Sequence, residues 1–317
     1  MKRFIIKRFL GLIPVLLILS VIVFAFIHLI PGDPARVMLG DKVTEAEVQA
    51  LRETMHLNDS IPVQYIKWIS GVLRGNFGAS IFINENMIVL IRNHLVPTLL
   101  LTVYSMAFGI LIALPLGVFA AYRQGSVFDL SIEGFAMAGI SIPSFLLGLI
   151  LIIVFSVKLR IFPSSGYMTI GEAGIFGNLS YLALPAIALG SMQTGLLIRM
   201  TRSSVLEVLY SDYIRMVRAK GMGDLTVIAK HALRNALLPI ITTAGQTMMS
   251  LLSGAAVIES VFNIPGVGQL IINSVTRRDY EVIQAVILLI AVINIAVCFF
   301  IDLLYGIVDP RVRLEGR

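Results

Sequence analysis

Residues 95–122 read LVPTLLLTVYSMAFGILIALPLGVFAAY, and this stretch contains no charged side chain before Arg123. A helix that crosses a bilayer needs about 20 mostly apolar residues, so the stretch is long enough to span the hydrocarbon core. Its prolines, Pro97 and Pro115, are compatible with a helix, because neighbouring groups in a membrane protein satisfy the carbonyls that proline leaves free. We therefore predict a transmembrane helix here.

Five more uncharged runs of similar length occur along the chain. They are 9–32, 134–157, 173–198, 235–258 and 282–301. The composition agrees, since 57% of the residues are hydrophobic and 14% are charged, whereas a soluble domain carries about 25% charged residues. The sequence predicts an all-α membrane protein with about six transmembrane helices. Segment 260–276 is also uncharged, but Pro265, Gly266 and Gly268 break it, which predicts a loop or re-entrant turn instead of a seventh span.

The first run follows four basic residues, as the apolar part of a secretory signal does. It is too long for such a signal and no A-x-A cleavage site follows, so we expect a retained helix. Lys and Arg are concentrated before this run, in segment 199–234 and at the C-terminus. Because cytoplasmic loops are enriched in Lys and Arg, six spans place both termini and segment 199–234 in the cytoplasm.

Segment 33–94 falls on the outer side and contains signals for short helices. Thr44 and Glu47 form a T-x-x-E capping box, and Ser60 begins a second helical pattern. These helices are too short and too polar to span a membrane, so we predict that they lie at its outer surface. A third short helix near 85–94 is predicted to run into the next span.

The sequence offers no recognisable catalytic chemistry. The four histidines are scattered without a ligand partner three or four residues away, and no G-x-x-x-x-G-K-[ST] phosphate-binding loop occurs. We therefore predict a non-catalytic chain that binds no metal or cofactor. The spans contain almost no charge, with Glu259 and Asp302 at or near span ends, which argues against an ion-coupled carrier. The net charge of +6 is ascribed to cytoplasmic loops and not to nucleic-acid binding.

Residues 211–239 form the most informative loop and read SDYIRMVRAKGMGDLTVIAKHALRNALLP. The pattern predicts two helices around a glycine turn, in which Gly221 and Gly223 permit positive φ and Asp224 caps the second helix. An apolar stripe among the basic residues consists of Leu225, Ile228, Ala232 and Leu233. Such a knob fits a groove on a partner protein, and it equally fits a basic amphipathic loop resting on anionic lipid. The residues alone leave both interpretations open.

The loop resembles the cytoplasmic coupling loop of ABC importer permeases of the oligopeptide, dipeptide, glutathione and nickel group, which carry Y-x-x-x-A-R-A-K-G and then H-x-L-R-N-A-x-x-P. The first part is matched by Tyr213, Arg218, Ala219, Lys220 and Gly221. The second part is matched by His231, Leu233, Arg234, Asn235, Ala236 and Pro239. Val217 stands where the group usually has alanine, and the Glu-Ala-Ala of other importers is absent.

Further matches to this group follow in order along the chain. They are Pro31-Gly32-Asp33-Pro34, Asn76-Phe77-Gly78 with Ser80, Gly139-Ile-Ser141-Ile-Pro143-Ser-Phe145, Glu259-Ser-Val261-Phe262-Asn-Ile-Pro265-Gly266-Val-Gly268, Arg278-Asp279-Tyr280-Glu281-Val-Ile283-Gln284, Asp302-Leu-Leu-Tyr305 and Asp309-Pro310-Arg311. Glu281 replaces the usual proline. The resemblance covers nearly the whole chain and is to the first, or B-type, permease of a pair.

The resemblance implies the architecture of a type I ABC importer permease. Residues 1–94 would form a first helix and the outer segment, and residues 95–308 a five-helix core with its coupling loop at 201–238. Residues 309–317 would form a cytoplasmic tail. The implied partners are a second homologous permease, two ATP-binding subunits that hold ATP and magnesium, an extracytoplasmic substrate-binding protein and the lipid membrane. The expected coupling residues are Arg218, Ala219, Lys220, Gly221, Met222 and Gly223. A possible outer gate region is formed by Glu259, Pro265, Gly266 and Gly268.

The expected function is passage of short peptides, with nickel, a metal chelate or glutathione as alternatives, because importers for these substrates share the motifs. No cluster of His, Cys or Met marks a metal path in the sequence, which favours peptides. Two rival classes are an ion-coupled secondary carrier and a non-transporting scaffold or receptor domain. The charge-poor spans oppose the first, and the helix-breaking residues and lack of a signalling domain oppose the second.

Overall fold

A computed structural model describes residues 2–28, 33–40, 43–54, 57–78, 80 and 85–308. The predictions for the 309–317 tail, with its Asp309-Pro310-Arg311 match, and for Pro31-Gly32 lie outside these residues. The helices are α1 (Lys2–His28), α2 (Pro34–Leu39), α3 (Glu45–Thr54), α4 (Ile61–Leu73), α5 (Met87–Tyr122), α6 (Val127–Ser141), α7 (Ser144–Leu151), α8 (Ile170–Leu209), α9 (Asp212–Ala219), α10 (Asp224–Thr226), α11 (Leu233–Val261), α12 (Val267–Arg277) and α13 (Tyr280–Val308). Two π-helical segments, Ile152–Lys158 and Val227–Ala232, follow α7 and α10 directly.

The described residues contain five helices long and apolar enough to cross a membrane. The number is six if the bent pair Val127–Ser141 and Ser144–Lys158 is counted as one span. Five of the six predicted runs coincide with α1, α5, α8, α11 and α13, which confirms the predicted fold class. Helix α8 continues to Leu209, eleven residues past the predicted end of its run at 198. Arg199 and Arg202 therefore lie on a helix and not in the loop to which the sequence assigned them.

The predicted third span, 134–157, is not one straight helix. Helix α6 begins at Val127 and is bent by 101° relative to the segment that starts at Ser144. Pro143 explains the break, because proline has no N–H to donate and disfavours helical backbone at the residue before it. Ile142 is accordingly extended, with φ −83° and ψ 121°.

The segment predicted as a loop or re-entrant turn, 260–276, is only partly irregular. A turn over residues 262–266 is followed by α12, whose eleven residues are too few to span a bilayer. The prediction that this segment is not a seventh span agrees with the structure. The irregular part is limited to the turn that contains Pro265 and Gly266, between the end of α11 at Val261 and the start of α12 at Val267.

Helix α8 lies at the centre of the bundle and packs against α5, α6 and α11. Small residues let these helices approach closely, as is usual where lipid supplies no hydrophobic drive for association. A Cβ atom added at Gly195 of α8 would lie 2.4 Å from the Ala136 carbonyl oxygen of α6. A Cβ atom added at Gly117 of α5 would lie 2.6 Å from the Thr201 side chain of α8.

The outer segment forms the short helices that the sequence predicts, and α4 packs on α1. The capping box is present, since the Thr44 N–H and hydroxyl both donate to Glu47 at 2.8 Å and the Glu47 N–H donates back. These bonds from Thr44 lower the pKa of Glu47. Tyr65 of α4 bonds to Ser20 of α1 at 2.8 Å. The predicted third short helix is the first part of α5, which begins at Met87.

Candidate functional site

The predicted coupling residues form an exposed turn between α9 and α10. All nine residues from Arg218 to Thr226 are exposed, and the six predicted coupling residues occupy the first part of this run. Gly221 has φ +80°, a conformation that glycine adopts without strain and other residues rarely adopt. The structure thus brings the six residues together as a protruding surface, named here the 218–223 turn.

Buried contacts fix the helices on either side of this turn. Ile214 and Val217 of α9 pack against Val227, at the start of the π-helical segment. The Tyr213 hydroxyl lies 2.7 Å from Nδ1 of His231, and the two rings meet edge to face. Val217, which replaces the usual alanine of the motif, is therefore a packing residue. The two halves of the sequence motif hold each other in place.

Two details of this loop differ from the prediction. Gly223 has φ −68°, so it does not need the freedom of glycine that we predicted for it. Asp224 does not cap the second helix; Gly223 is at the cap position, and the Asp224 carboxylate instead lies 3.6 Å from the Arg218 guanidinium. One glycine with positive φ is sufficient to reverse the chain, and a charge pair across the turn replaces the cap.

The second helix of the loop does not stop at the membrane. Asp224 to Val261 forms one helical stretch of 38 residues, in which α10, the π-helical segment and α11 follow without a break. A helix of this length extends over about 57 Å. It begins directly after the 218–223 turn and contains Glu259 in its last turn, so one helical stretch connects the two groups of predicted site residues.

Glu259 is fully buried at the end of α11 and holds the start of α12. Its Oε2 accepts the N–H of Gln269 at 2.9 Å, and its Oε1 accepts the Thr98 hydroxyl of α5. The Thr98 oxygen in turn accepts the N–H of Val267 at 2.8 Å. Because the first N–H groups of a helix have no partner within it, a carboxylate there satisfies them and interacts favourably with the helix dipole.

Glycines make this arrangement possible. A Cβ atom at Gly266 would lie 2.1 Å from the carboxyl carbon of Glu259, and one at Gly268 would lie 2.4 Å from Ala256 of α11. Pro265 is exposed at the tip of the 262–266 turn. The four residues predicted as an outer gate region therefore form one cluster at the α11–α12 junction. A gating role for that cluster stays a prediction.

Sequence reasoning missed two polar contacts. Arg202 of α8 donates to both carboxylate oxygens of Asp129 at the start of α6, at 2.6 and 2.8 Å, and also lies 3.2 Å from Glu133. The acidic pair one helical turn apart was a usable signal, but Arg202 was counted as a loop charge. The second contact joins Ser80 to Asp279, between two motifs 199 residues apart. No local pattern predicts that pairing.

The described residues contain no group of three or more His, Cys, Asp or Glu side chains arranged to hold a metal ion. In the turn, Arg218 pairs with Asp224, and at the α11–α12 junction Glu259 bonds to Thr98 and to the N–H of Gln269. The arrangement is an exposed surface connected by a helix to a buried hydrogen-bonded junction.

Comparison with known proteins agrees with this architecture. Residues 113–314 match the family described as binding-protein-dependent transport system inner membrane component, and residues 1–84 match its N-terminal region. Among solved structures, two inward-facing forms of the MetNI methionine ABC transporter have similar folds, with TM-scores of 0.57 and 0.58. At 21% and 22% identity they cover 72% of this chain and 100% of theirs, which supports the fold alone.

Similar sequences extend over the full length of the chain. A probable peptide ABC transporter permease of Sinorhizobium fredii is 37% identical, and the oligopeptide permease AppB of Bacillus subtilis is 41% identical. The glutathione permease GsiC of Salmonella paratyphi A is 38% identical. In each case 99% of this chain and 100% of the relative are aligned. The chain belongs to the family of binding-protein-dependent transport system inner membrane components, the permease subunits of ABC importers.

Proposed function

We propose that this permease carries short peptides across the bacterial inner membrane, as one half of a pathway completed by a second homologous permease. The observation that carries the proposal is the continuous helix Asp224–Val261, which has the exposed 218–223 turn beside one end and Glu259 in its last turn. A continuous helical element with a partner-accessible end and a buried end is suited to convey movement across a membrane.

The 218–223 turn is the proposed contact with one of two ATP-binding subunits, which bind ATP and magnesium in place of this chain. ATP-driven closure of those subunits would displace α9 and the start of the long helix together, since Tyr213–His231 and the Ile214–Val217–Val227 cluster join them. Movement of the rod then acts on the junction held by Glu259. In this arrangement the chain itself is not an enzyme.

The proposed topology places both termini and the 218–223 turn in the cytoplasm and the 262–266 turn outside, facing a substrate-binding protein. The two turns lie at opposite ends of the helical stretch Asp224–Val261, so a single span separates them. The outer segment and α1 form one unit of the proposed organisation, and residues 95–308 form the permease core. Residues 309–317 form the proposed cytoplasmic tail.

Short peptides are the proposed substrate because relatives aligned over the full chain are named for peptides, for oligopeptides and for glutathione, which is itself a tripeptide. The test is uptake of labelled dipeptides, oligopeptides, glutathione and nickel in a strain lacking the chain and in the same strain complemented with it. Restored peptide uptake supports the proposal. Restored nickel uptake with no change in peptide uptake would refute the substrate assignment.

A second experiment addresses the partners. The tagged chain, purified in mild detergent, should retain a second permease and ATPase subunits that contain a phosphate-binding loop, and ATP binding should follow those subunits. Specific ATP binding by the chain after the subunits have been removed would contradict the proposal that the chain is a non-catalytic partner.

A further inference from the structure

The apolar stripe of the loop lies against α5 and forms a groove with it. Five residues of α5 between Leu114 and Tyr122 form one wall, and Leu225, Ile228 and Leu233 form the other. The groove has a volume of about 400 Å³, and its lining is almost entirely apolar. We name it the α5–loop groove. It lies on the loop beside the 218–223 turn and does not include that turn.

The lining remains accessible within the chain. Leu225 is 79% exposed, and Phe119 and Tyr122 are each 42% exposed. The wall contributed by α5 belongs to a membrane-spanning helix that ends at Tyr122, so this part of the groove is at the level where hydrocarbon meets the interface. The wall contributed by the loop brings apolar side chains to that same level from the aqueous side.

Arg123 supplies a cation at the rim of the groove. The guanidinium carbon of Arg123 lies 5.5 Å from the centre of the Tyr122 ring, which places a positive charge at the mouth. Lys230 and Arg234 are exposed on the helical stretch that contributes Ile228 and Leu233. The nearest acid in sequence to the stripe, Asp224, is paired with Arg218. An apolar slot with a positive rim matches an acyl chain joined to an anionic headgroup.

We propose that the α5–loop groove binds an anionic phospholipid of the cytoplasmic leaflet, with one acyl chain between α5 and the stripe and the phosphate against Arg123. The assignment rests on the proposed function, because it takes the loop to be cytoplasmic. The two interpretations of the loop, docking on a partner protein and resting on anionic lipid, then apply to different surfaces. The 218–223 turn is available to an ATPase subunit, and the apolar stripe contacts lipid. The bound lipid contacts the start of the helical stretch Asp224–Val261, which ends near Glu259. The lipid composition of the cytoplasmic leaflet therefore affects the coupling of ATP hydrolysis to transport.

The test is lipid retention by the intact importer. The purified complex is equilibrated with equal amounts of phosphatidylglycerol and phosphatidylcholine, and bound lipid is counted by native mass spectrometry. The wild-type complex should retain phosphatidylglycerol preferentially. Arg123→Gln should lower that retention about fivefold, the factor expected for losing one cation beside an anionic headgroup. Leu225→Gln should lower retention of both lipids, and its exposed position makes it compatible with folding.

Arg199→Gln is the matched control, because Arg199 is an exposed cation of α8 that faces Met137 of α6 and not the groove. It should retain phosphatidylglycerol as the wild type does. Equal retention of the two lipids, or retention unchanged in Arg123→Gln, would overturn the proposal. So would phosphatidylglycerol that binds the isolated permeases and is displaced when ATPase subunits assemble, because the groove is then a protein interface.

Peptide uptake in vesicles made with and without phosphatidylglycerol separates this proposal from the proposed function. Loss of uptake in every lipid, with lipid retention as expected, would refute peptide transport and leave the lipid site intact. Normal uptake with no preference in retention would leave transport intact and refute the site.

Discussion

The Thr98 hydroxyl on α5 donates to the Glu259 carboxylate on α11, although 161 residues separate them in the chain. The same oxygen accepts the N–H of Val267 at 2.8 Å, so a single threonine joins three helices at the α11–α12 junction. The site is buried, and water cannot replace a lost partner there without entering the core. The junction is therefore stable only while all three helices keep their relative positions.

Replacing Thr98 with valine should destabilise this junction. Valine keeps the shape of threonine but leaves the Glu259 oxygen and the Val267 N–H each without one bond, which costs about 1–3 kcal/mol when a buried group loses its partner. We expect a lower thermal midpoint for the purified complex and weaker stimulation of the ATPase by loaded binding protein.

The control uses the same substitution at Thr276, an exposed residue of α12 whose hydroxyl bonds only to the Ile272 carbonyl of its own helix. Thr276→Val should change stability by less than about 0.5 kcal/mol. Equal effects of the two substitutions on stability and stimulation would show that the Thr98 bonds do not hold the junction.

Replacing Gly221 with valine tests the 218–223 turn. A side chain at φ +80° is strained by roughly 1–2 kcal/mol, and valine also adds bulk to the proposed ATPase contact. Membrane insertion should be normal, because no span is altered. We expect the ATPase subunits either to dissociate or to hydrolyse ATP without responding to binding protein, with uptake lost in both cases.

Gly223→Val separates backbone strain from bulk. Gly223 has an ordinary φ of −68°, and a Cβ atom at either glycine has open space around it within the chain. If strain is the cause, only Gly221→Val should impair coupling; if bulk at the contact is the cause, both should. Normal assembly, stimulation and uptake in both variants would remove the turn from the coupling mechanism.

Cysteine labelling tests the proposed orientation. In a Cys298→Ser background, a cysteine at Ser60 in the outer segment should react with a membrane-impermeant thiol reagent added to intact cells, and one at Lys220 should react only after lysis. Lys220 is exposed in the 218–223 turn, so a cysteine at this position is accessible to the reagent once the cells are lysed. The reverse labelling pattern would invert the topology and exclude a cytoplasmic ATPase contact at residues 218–223.

Arg202 should be among the charged residues whose substitution destabilises the protein most. Its partner Asp129 has only 3% of its side chain exposed, and removing one member of a buried ion pair costs about 3–5 kcal/mol. Arg202→Met should therefore lower the yield or thermal stability of the complex strongly. Arg215→Met is the control, because its pair with Asp212 is exposed, and exposed pairs contribute about 0–1 kcal/mol. Similar losses of thermal stability in both variants would show that the Arg202–Asp129 pair contributes no more to stability than the exposed Arg215–Asp212 pair.

The spans could be predicted from the sequence because lipid imposes a simple rule on composition: a run without charges long enough to cross the core must be a helix. That rule does not reveal the direction in which each helical segment runs. Ile142 and Pro143 bend the third span, although the segments on both sides of the bend are apolar. The rule also underestimates α8, because it stops at the first arginine, whereas a helix can continue past the membrane with Arg202 satisfied by Asp129.

The sequence predicted which residues belong to the candidate site, but it did not predict how those residues are arranged in space. Glycine spacing placed Gly221 at a positive-φ turn correctly, since that conformation strongly favours glycine. The same reasoning failed at Gly223, where nothing in the chain requires glycine. The bond between Thr98 and Glu259 depends on the packing of distant helices, and no periodicity or local motif in one chain carries that information.

The contacts between the first and last helices have a consequence for biosynthesis. Arg8 and Val23 of α1 meet Asp302 and Gln284 of α13, through an ion pair at 3.0 Å and an amide-to-carbonyl bond at 3.1 Å. At about 5–20 residues per second, a ribosome needs on the order of 13–60 s to make the chain between these partners. During that interval α1 waits in the bilayer with its contact face uncovered. Helix α13 thus completes the packing of α1, and a chain released before α13 is made leaves this face of α1 without its partner helix.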